Sequence, residues 1–182
     1  MDQIDPRALR QVLGCYATGV AVITTLTPDG ADAAVTVNSF ASVSLAPPLV
    51  LFSMALTSNI TATFTGADVF TINVLSEAQQ SVSNRFARPS LATWEDVQLS
   101  RGSNGCALLT GALAQIECRK YQTVDGGDHV ILLGHVTAIH LGAATEALLF
   151  YRGAYGTYTR DQWSKRPPLD GSLGDIVALG WA

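Results

Sequence analysis

The sequence predicts a mostly β protein, an antiparallel barrel with short helices added to it. Three observations carry this. At least six segments are rich in β-branched residues or alternate between apolar and polar side chains. Their connections are of hairpin type, marked by Thr27-Pro28-Asp29-Gly30, Pro47-Pro48 and Gly126-Gly127. Helical patterning is confined to two or three short stretches. Closing such a sheet on itself removes exposed strand edges.

The elements follow in order. Asp5 is placed to cap an opening helix, and Pro6 suits its first position. Leu9, Val12, Leu13 and Tyr16 fall on one face of that helix. Residues 20–26 read as a strand, residues 33–38 as a second and 48–54 as a third. Residues 69–75 are again strand-like. Ser76 and Gln79 form a capping box for a helix running to about Ala87. Residues 88–107 are of mixed polarity and read as a long loop anchored by Trp94. In residues 112–124, Ala112, Ala114, Ile116 and Cys118 face one side, and Gln115, Glu117 and Arg119 face the other, the pattern of a half-buried strand. Residues 130–141 are apolar on both faces, which predicts a central strand. Residues 1–160 are expected to form one domain and residues 161–182 a Pro- and Gly-rich tail.

Length and composition bound the function. The 182 residues suffice for one domain that buries about 70% of its unfolded surface. Hydrophobic residues make up 48% and charged residues 14%, against a usual charged share of about 25%. The deficit predicts a large apolar interface, most simply a homodimer. The net charge of −4 and the lack of a basic run give a nucleic-acid role no support. No stretch of 18 apolar residues is present, so no membrane span is expected. The acidic start, with no apolar leader, points to the cytoplasm. Cys15, Cys106 and Cys118 are widely spaced and are expected to be small buried hydrophobes rather than a disulfide framework.

Several familiar sites are missing. No Gly-x-Gly-x-x-Gly and no Walker loop occur. His129 and His135 share a strand face but lie about 20 Å apart, and His140 points to the other face, so a metal site is not expected. Four polar segments are candidates instead. Residues 36–44 include Thr36, Asn38, Ser39, Ser42 and Ser44, whose hydroxyls and amides can serve a heteroaromatic ligand or ordinary turns. Thr57, Ser58, Asn59 and Thr61 precede a short helical stretch, where Thr57 or Ser58 can cap the helix beside an anion. Arg85 and Arg88 lie at a helix end, suited to the helix dipole or to phosphate. Gly127-Asp128-His129 opens the long strand at a barrel rim, where two glycines allow close approach.

The order of these segments resembles a known family. Residues 16–24, 36–50, 70–75 and 85–87, then Gly127-Asp128-His129 with Gly134, then residues 149–155, together resemble the short-chain flavin reductases of the FMN-binding split-barrel fold. The resemblance covers about residues 8–158. It implies a split antiparallel β-barrel, a homodimer, and NAD(P)H:flavin oxidoreductase activity that supplies reduced FMN or FAD to a separate flavin-dependent monooxygenase. It implies that Thr36, Val37, Asn38, Ser39, Ser42, Val43 and Ser44 line the flavin. Thr57, Ser58, Asn59 and Thr61 would meet its phosphate, helped by Arg85 and Phe86, and Tyr155 would complete the flavin site. His129 would sit beside the nicotinamide. Many relatives carry a basic residue where Leu56 or Thr57 stands here, which shifts weight to Arg85. No arginine suited to a 2′-phosphate is apparent, so NADH is expected before NADPH. A non-catalytic flavin-binding electron carrier, or a split-barrel oxidase of another substrate, is the alternative.

Overall fold

The computed structural model describes residues 4–89 and 92–158. The fold is mostly β, with antiparallel pairing throughout. After helix α1 (Pro6–Leu13) come β1 (Thr18–Gly19), β2 (Ala21–Leu26), β3 (Asp32–Val37), β4 (Ala41–Leu45) and β5 (Pro48–Ala55). Helix α2 (Thr61–Gly66), β6 (Val69–Val74), a 3-10 turn (Glu77–Gln79) and α3 (Gln80–Phe86) follow. The chain then forms β7 (Leu99–Arg101), β8 (Ala107–Leu109), β9 (Ala114–Asp125), β10 (His129–Leu141), β11 (Leu148–Tyr151) and β12 (Ala154–Thr157). Seven strands make the main sheet, in the order β3-β2-β6-β9-β10-β5-β4. The tail from 161 lies outside the described residues.

Alternation along these strands builds the interior. Ile23 of β2, Phe52 of β5, Phe70 and Ile72 of β6, Cys118 of β9 and Leu132 of β10 meet there, with Phe64 of α2. Phe52 packs edge-on against both Phe64 and Phe70, at 6.1 and 5.1 Å between ring centres. Full burial of each such side chain contributes roughly 1.5–3 kcal/mol. The sheet curls until β3 and β5 approach. Ser39, just beyond β3, spans the seam: its hydroxyl donates to the Ser53 carbonyl and accepts from the Ser53 N–H, each at 3.0 Å. Among the described residues no strand pairs with that edge of β5 at Ser53, because β4 pairs only with Pro48–Leu51.

The capping box forms as the sequence predicts, with the Ser76 N–H donating to Gln79 Oε1 at 3.1 Å. Trp94 does anchor its loop, donating from Nε1 to the Asp32 carbonyl and packing on Phe86. β10 is an interior strand, although its far end emerges, with Ile139 75% and Leu141 92% exposed.

Four expectations need correction. The stretch 88–107 is not all loop: β7 and β8 form a hairpin that lies on the second face of the sheet. Its backbone is tied there by polar side chains. Thr24 Oγ1 donates to the Ala107 carbonyl at 2.7 Å, and Asn73 Oδ1 accepts from the Leu109 N–H at 2.8 Å. Second, Glu117 is not on a solvated face but fully buried beneath the turn that joins β7 to β8. Third, α1 ends at Leu13, so Tyr16 lies beyond the helix rather than on its face; Leu9, Val12, Leu13 and Tyr16 are all exposed in the single chain. Fourth, Cys15 is exposed, whereas Cys106 and Cys118 are buried thiols that burial pushes up to about 11 and about 12.

Candidate functional site

A cleft opens where the seam between β3 and β5 leaves strand edges unpaired. One part, about 250 Å³, is lined by Val35, Thr36, Val37, Asn38 and Ser39 on one wall and by Ser53, Met54, Ala55 and Ser58 on the other, with Ala87, Pro89 and His129 at its margins. An adjoining part, about 170 Å³, shares Thr36, Val37, Asn38 and Ala87 and extends to Val20, Phe150 and Tyr155. The walls are apolar at Val35, Val37, Met54 and Phe150 and polar at Thr36, Asn38, Ser39 and Ser58. That mixture suits a flat heteroaromatic ligand with several hydrogen-bonding edges.

Of the residues singled out in the sequence, the fold brings together Thr36, Val37, Asn38, Ser39, Ser58, His129 and Tyr155. Four of these already have partners within the chain: Tyr155 meets Ser83, His129 meets Asp128, and Thr36 and Ser39 are held by backbone groups. Thr36 Oγ1 donates to the Ser83 carbonyl at 2.7 Å, and Ser39 holds the seam. Asn38 and Ser58 have no side-chain hydrogen bond among the described residues, so both can serve a ligand. Ser83 of α3 is a residue that sequence reasoning missed. Its carbonyl holds Thr36 and its hydroxyl meets the Tyr155 hydroxyl at 2.8 Å, so one buried serine sets both ends of a wall. Only its position on the inner face of the capped helix signalled this.

Other expected residues lie elsewhere. Ser42 and Val43 are exposed on the edge strand β4, and Ser44 is half-buried beside them; none lines the cleft. Thr57 and Ser58 do not cap α2, whose first residue is Thr61 and whose cap position is Ile60, with no side-chain cap bond. Thr61 is buried and spends its hydroxyl on the Ala55 carbonyl at 2.8 Å. Thr57 and Asn59 do not line the cleft. Phe86 is a core residue packed against Trp94, because the inner face of α3 turns it away from the cleft. Arg85 donates to the carbonyls of Thr93 and Glu95. Through Nη1 its guanidinium braces the loop after α3, and it does not line the cleft.

His129 stands at the rim because of the turn before it. Gly127 adopts φ +80, a left-handed conformation open to glycine at little cost. The Asp125 carboxylate accepts from the Gly127 N–H at 2.8 Å, and the His129 carbonyl accepts from the Gly126 N–H at 3.0 Å. His129 Nδ1 lies 2.6 Å from Asp128 Oδ1, and this bond holds the Asp128 carboxyl below its ordinary range.

Away from the cleft, the buried Glu117 carboxylate is saturated with donors. Ser103 Oγ and the Asn104 N–H donate to Oε2 at 2.7 and 2.9 Å, and His140 Nε2 donates to Oε1 at 2.7 Å. Burial pushes this carboxyl up, but these bonds outweigh it and hold the group at about 2. The arrangement is a fastener for the hairpin. A larger cavity of about 620 Å³, lined by Arg10, Gln11, Val12, Gly14, Cys15, Arg152 and Gly153, includes none of the sequence-predicted residues.

Known proteins share this fold and sequence. The family model described as flavin reductase like domain matches residues 13–159. The chain is 39% identical to the stachydrine N-demethylase reductase subunit of Rhizobium meliloti, over 98% of this chain and 77% of that protein. It is 43% identical to an FMN reductase (NADH) of Agrobacterium fabrum, over 85% of this chain and 87% of that one. Of two other curated relatives the chain spans about half the length. Among solved structures, the NADH:FAD oxidoreductase of Streptomyces globisporus, in complex with NAD and FAD fragments, superposes with a TM-score of 0.81 at 33% identity, over 89% of this chain and 99% of that one. With its family model spanning the strands and turns that form the cleft, the chain belongs to the flavin reductase like domain family.

Proposed function

We propose that the protein is an NADH-dependent flavin reductase that supplies reduced FMN or FAD to a separate monooxygenase. The observation that carries this reading is the cleft at the seam, with free Asn38 and Ser58 side chains along it and His129 at its rim. The names of relatives support it, since they include NADH-linked FMN and FAD reductases and monooxygenase reductase components. The residues fit a flavin: the apolar faces of Val35, Val37 and Met54 suit its ring system, and the amide and hydroxyl suit its edges.

A bound flavin supplies the hydride-accepting ring position, and the dihydronicotinamide supplies the hydride. The chain's own work is to hold and to shield. Val35, Val37, Met54 and Phe150 exclude water from the ring faces. Asn38 and Ser58 orient the flavin edge. Tyr155, held by Ser83, closes the far end. His129 orients the nicotinamide at the rim. No side-chain base is required, and a product that must leave calls for modest flavin affinity. The protein acts as a homodimer, a reading supported by the uncovered face of α1 and the exposed Ile139 and Leu141.

The test is NADH oxidation by the purified chain with and without added FMN, FAD and riboflavin. Turnover that depends on added flavin is the expected result. Tight flavin retention with negligible NADH oxidation would refute the reductase reading.

A further inference from the structure

The cavity of about 620 Å³ beside the end of α1 is larger than either part of the cleft and has no part in the reading above. Two guanidiniums line it, from Arg10 in the last turn of α1 and from Arg152 in the turn between β11 and β12; among the described residues no carboxylate does. Among the described residues neither arginine forms a salt bridge. An arginine at a helix end often serves the last carbonyls. Here those carbonyls are served already. The N–H groups of Gly14, Cys15 and Tyr16 donate to the carbonyls of Arg10, Val12 and Leu13, at 2.8, 3.0 and 3.1 Å. The Cys15 thiol donates to the Gln11 carbonyl at 3.4 Å, and the Arg152 N–H to the Gly14 carbonyl at 3.0 Å. The Arg152 side chain is steadied by the Tyr151 ring, 5.4 Å from its centre, and by Cys15 Sγ, which accepts one N–H at 3.4 Å. Most of its five donors stay free. Arg152 and Gly153 form a two-residue turn with φ +49 and +81, where glycine or asparagine is the usual choice. An arginine there accepts backbone strain, and such strain concentrates at ligand sites.

We propose that this cavity is a binding site for a phosphate-bearing ligand of nucleotide size, distinct from the cleft, with Arg10 and Arg152 clasping the phosphate. Two positive charges outweigh the roughly half negative charge of a helix C-terminus. A guanidinium matches phosphate with paired N–H donors. The volume exceeds what a phosphate alone fills and leaves room for a sugar and a base, and Gln11 adds an amide to the lining. The β11–β12 hairpin joins the two sites: it sets Phe150 and Tyr155 in the cleft and Arg152 and Gly153 in the cavity. The Arg10 charge also reaches Asp128, the neighbour of His129 at the cleft margin. Two sources share this ligand chemistry: a free nucleoside diphosphate, and the outer half of a dinucleotide whose other ring lies in the cleft. The second source rests on the reductase reading given above; the site itself does not.

The probe is adenosine diphosphate, titrated into the full chain by calorimetry. Wild type should bind it saturably, with affinity falling as salt is raised and with adenosine binding far more weakly. Arg152→Gly suits the left-handed turn, so its melting temperature should equal or exceed that of wild type. Its affinity for the probe should fall about 3- to 10-fold, the range of one hydrogen bond. Arg10→Gln should show a loss of similar size. Arg152→Lys should recover only part, since it keeps the charge without the fork. Further titrations separate the sources. Weaker binding of FAD or NADH to Arg152→Gly, with FMN affinity unchanged, assigns the site to the outer half of that dinucleotide. Unchanged binding of both assigns it to a free nucleotide, and either result upholds the site. Absence of saturable binding in wild type overturns the proposal. So does equal affinity in wild type, Arg152→Gly and Arg10→Gln, which would place the diphosphate in the cleft. These titrations need no turnover: a chain that fails to oxidise NADH with any flavin overturns the reductase reading, while binding alone decides this site.

Discussion

Glu117 shows how a single side chain acquires its state from its partners. On an alternating strand it reads as a solvated carboxylate, yet it is fully buried and carries three hydrogen bonds. Its carboxyl is held at about 2 against an ordinary 4.5. The sign follows from linkage. As pH falls, the unfolded chain takes up this proton first, so the group stabilises the fold fully above about pH 5. That stabilisation, about 3 kcal/mol from a shift of this size, drains away toward pH 2. Glu117→Gln replaces an acceptor-only group with one that must also donate, and it should destabilise the chain at pH 7. The difference from wild type should narrow in urea melts at pH 3. An equal difference at both pH values would show that the carboxylate charge is not the source.

At the scale of elements, β10 lies in the barrel wall between β9 and β5, and at Gly134 its backbone comes close to Phe70 of β6 and Cys118 of β9. Gly134 makes that approach feasible, since a Cβ there would lie 2.4 Å from Phe70 Cζ and 2.9 Å from Cys118 Cβ. Gly134→Ala should cost about 1–3 kcal/mol as an overpacked site. A thermal melt unchanged from wild type would mean that Phe70 can move aside freely. The β7–β8 hairpin depends on a different kind of bond. It is held by Thr24, Asn73 and Glu117 on the second face of the sheet. Asn73→Ala leaves the buried Leu109 N–H without its acceptor, at about 1–3 kcal/mol. Amide exchange should then quicken across residues 99–109 ahead of the rest; uniform quickening would contradict this local role.

For the whole molecule, the exposed apolar residues and the low charge converge on one expectation. Leu9, Val12 and Leu13 on α1, Tyr16 just after it, and Ile139 and Leu141 on β10 present apolar surface that a second copy can cover. Light scattering at micromolar concentration should give twice the 19.2 kDa of the chain. A mass near 19 kDa would refute the homodimer. Among the described residues, no helix is long and apolar enough to cross a membrane.

The parts that sequence alone determined are those governed by neighbours along the chain. Ser76 and Gln79 cap one helix because they stand three residues apart, and Gly126-Gly127 turns the chain because glycine accepts the required φ. The β-branched runs and alternating segments are legible as strands for the same reason, and so is the barrel that such strands build. The tertiary structure decided whatever depends on a distant partner. Glu117 became buried because a hairpin some fifteen residues earlier folded onto its strand. Phe86 and Arg85 left the expected site because α3 turns one into the core and the next loop claims the other. Thr36, Ser58 and His129 came to line one cleft because the sheet curls until β3 and β5 almost meet. Curvature and cover are sums over the whole chain, and no local pattern of residues encodes them.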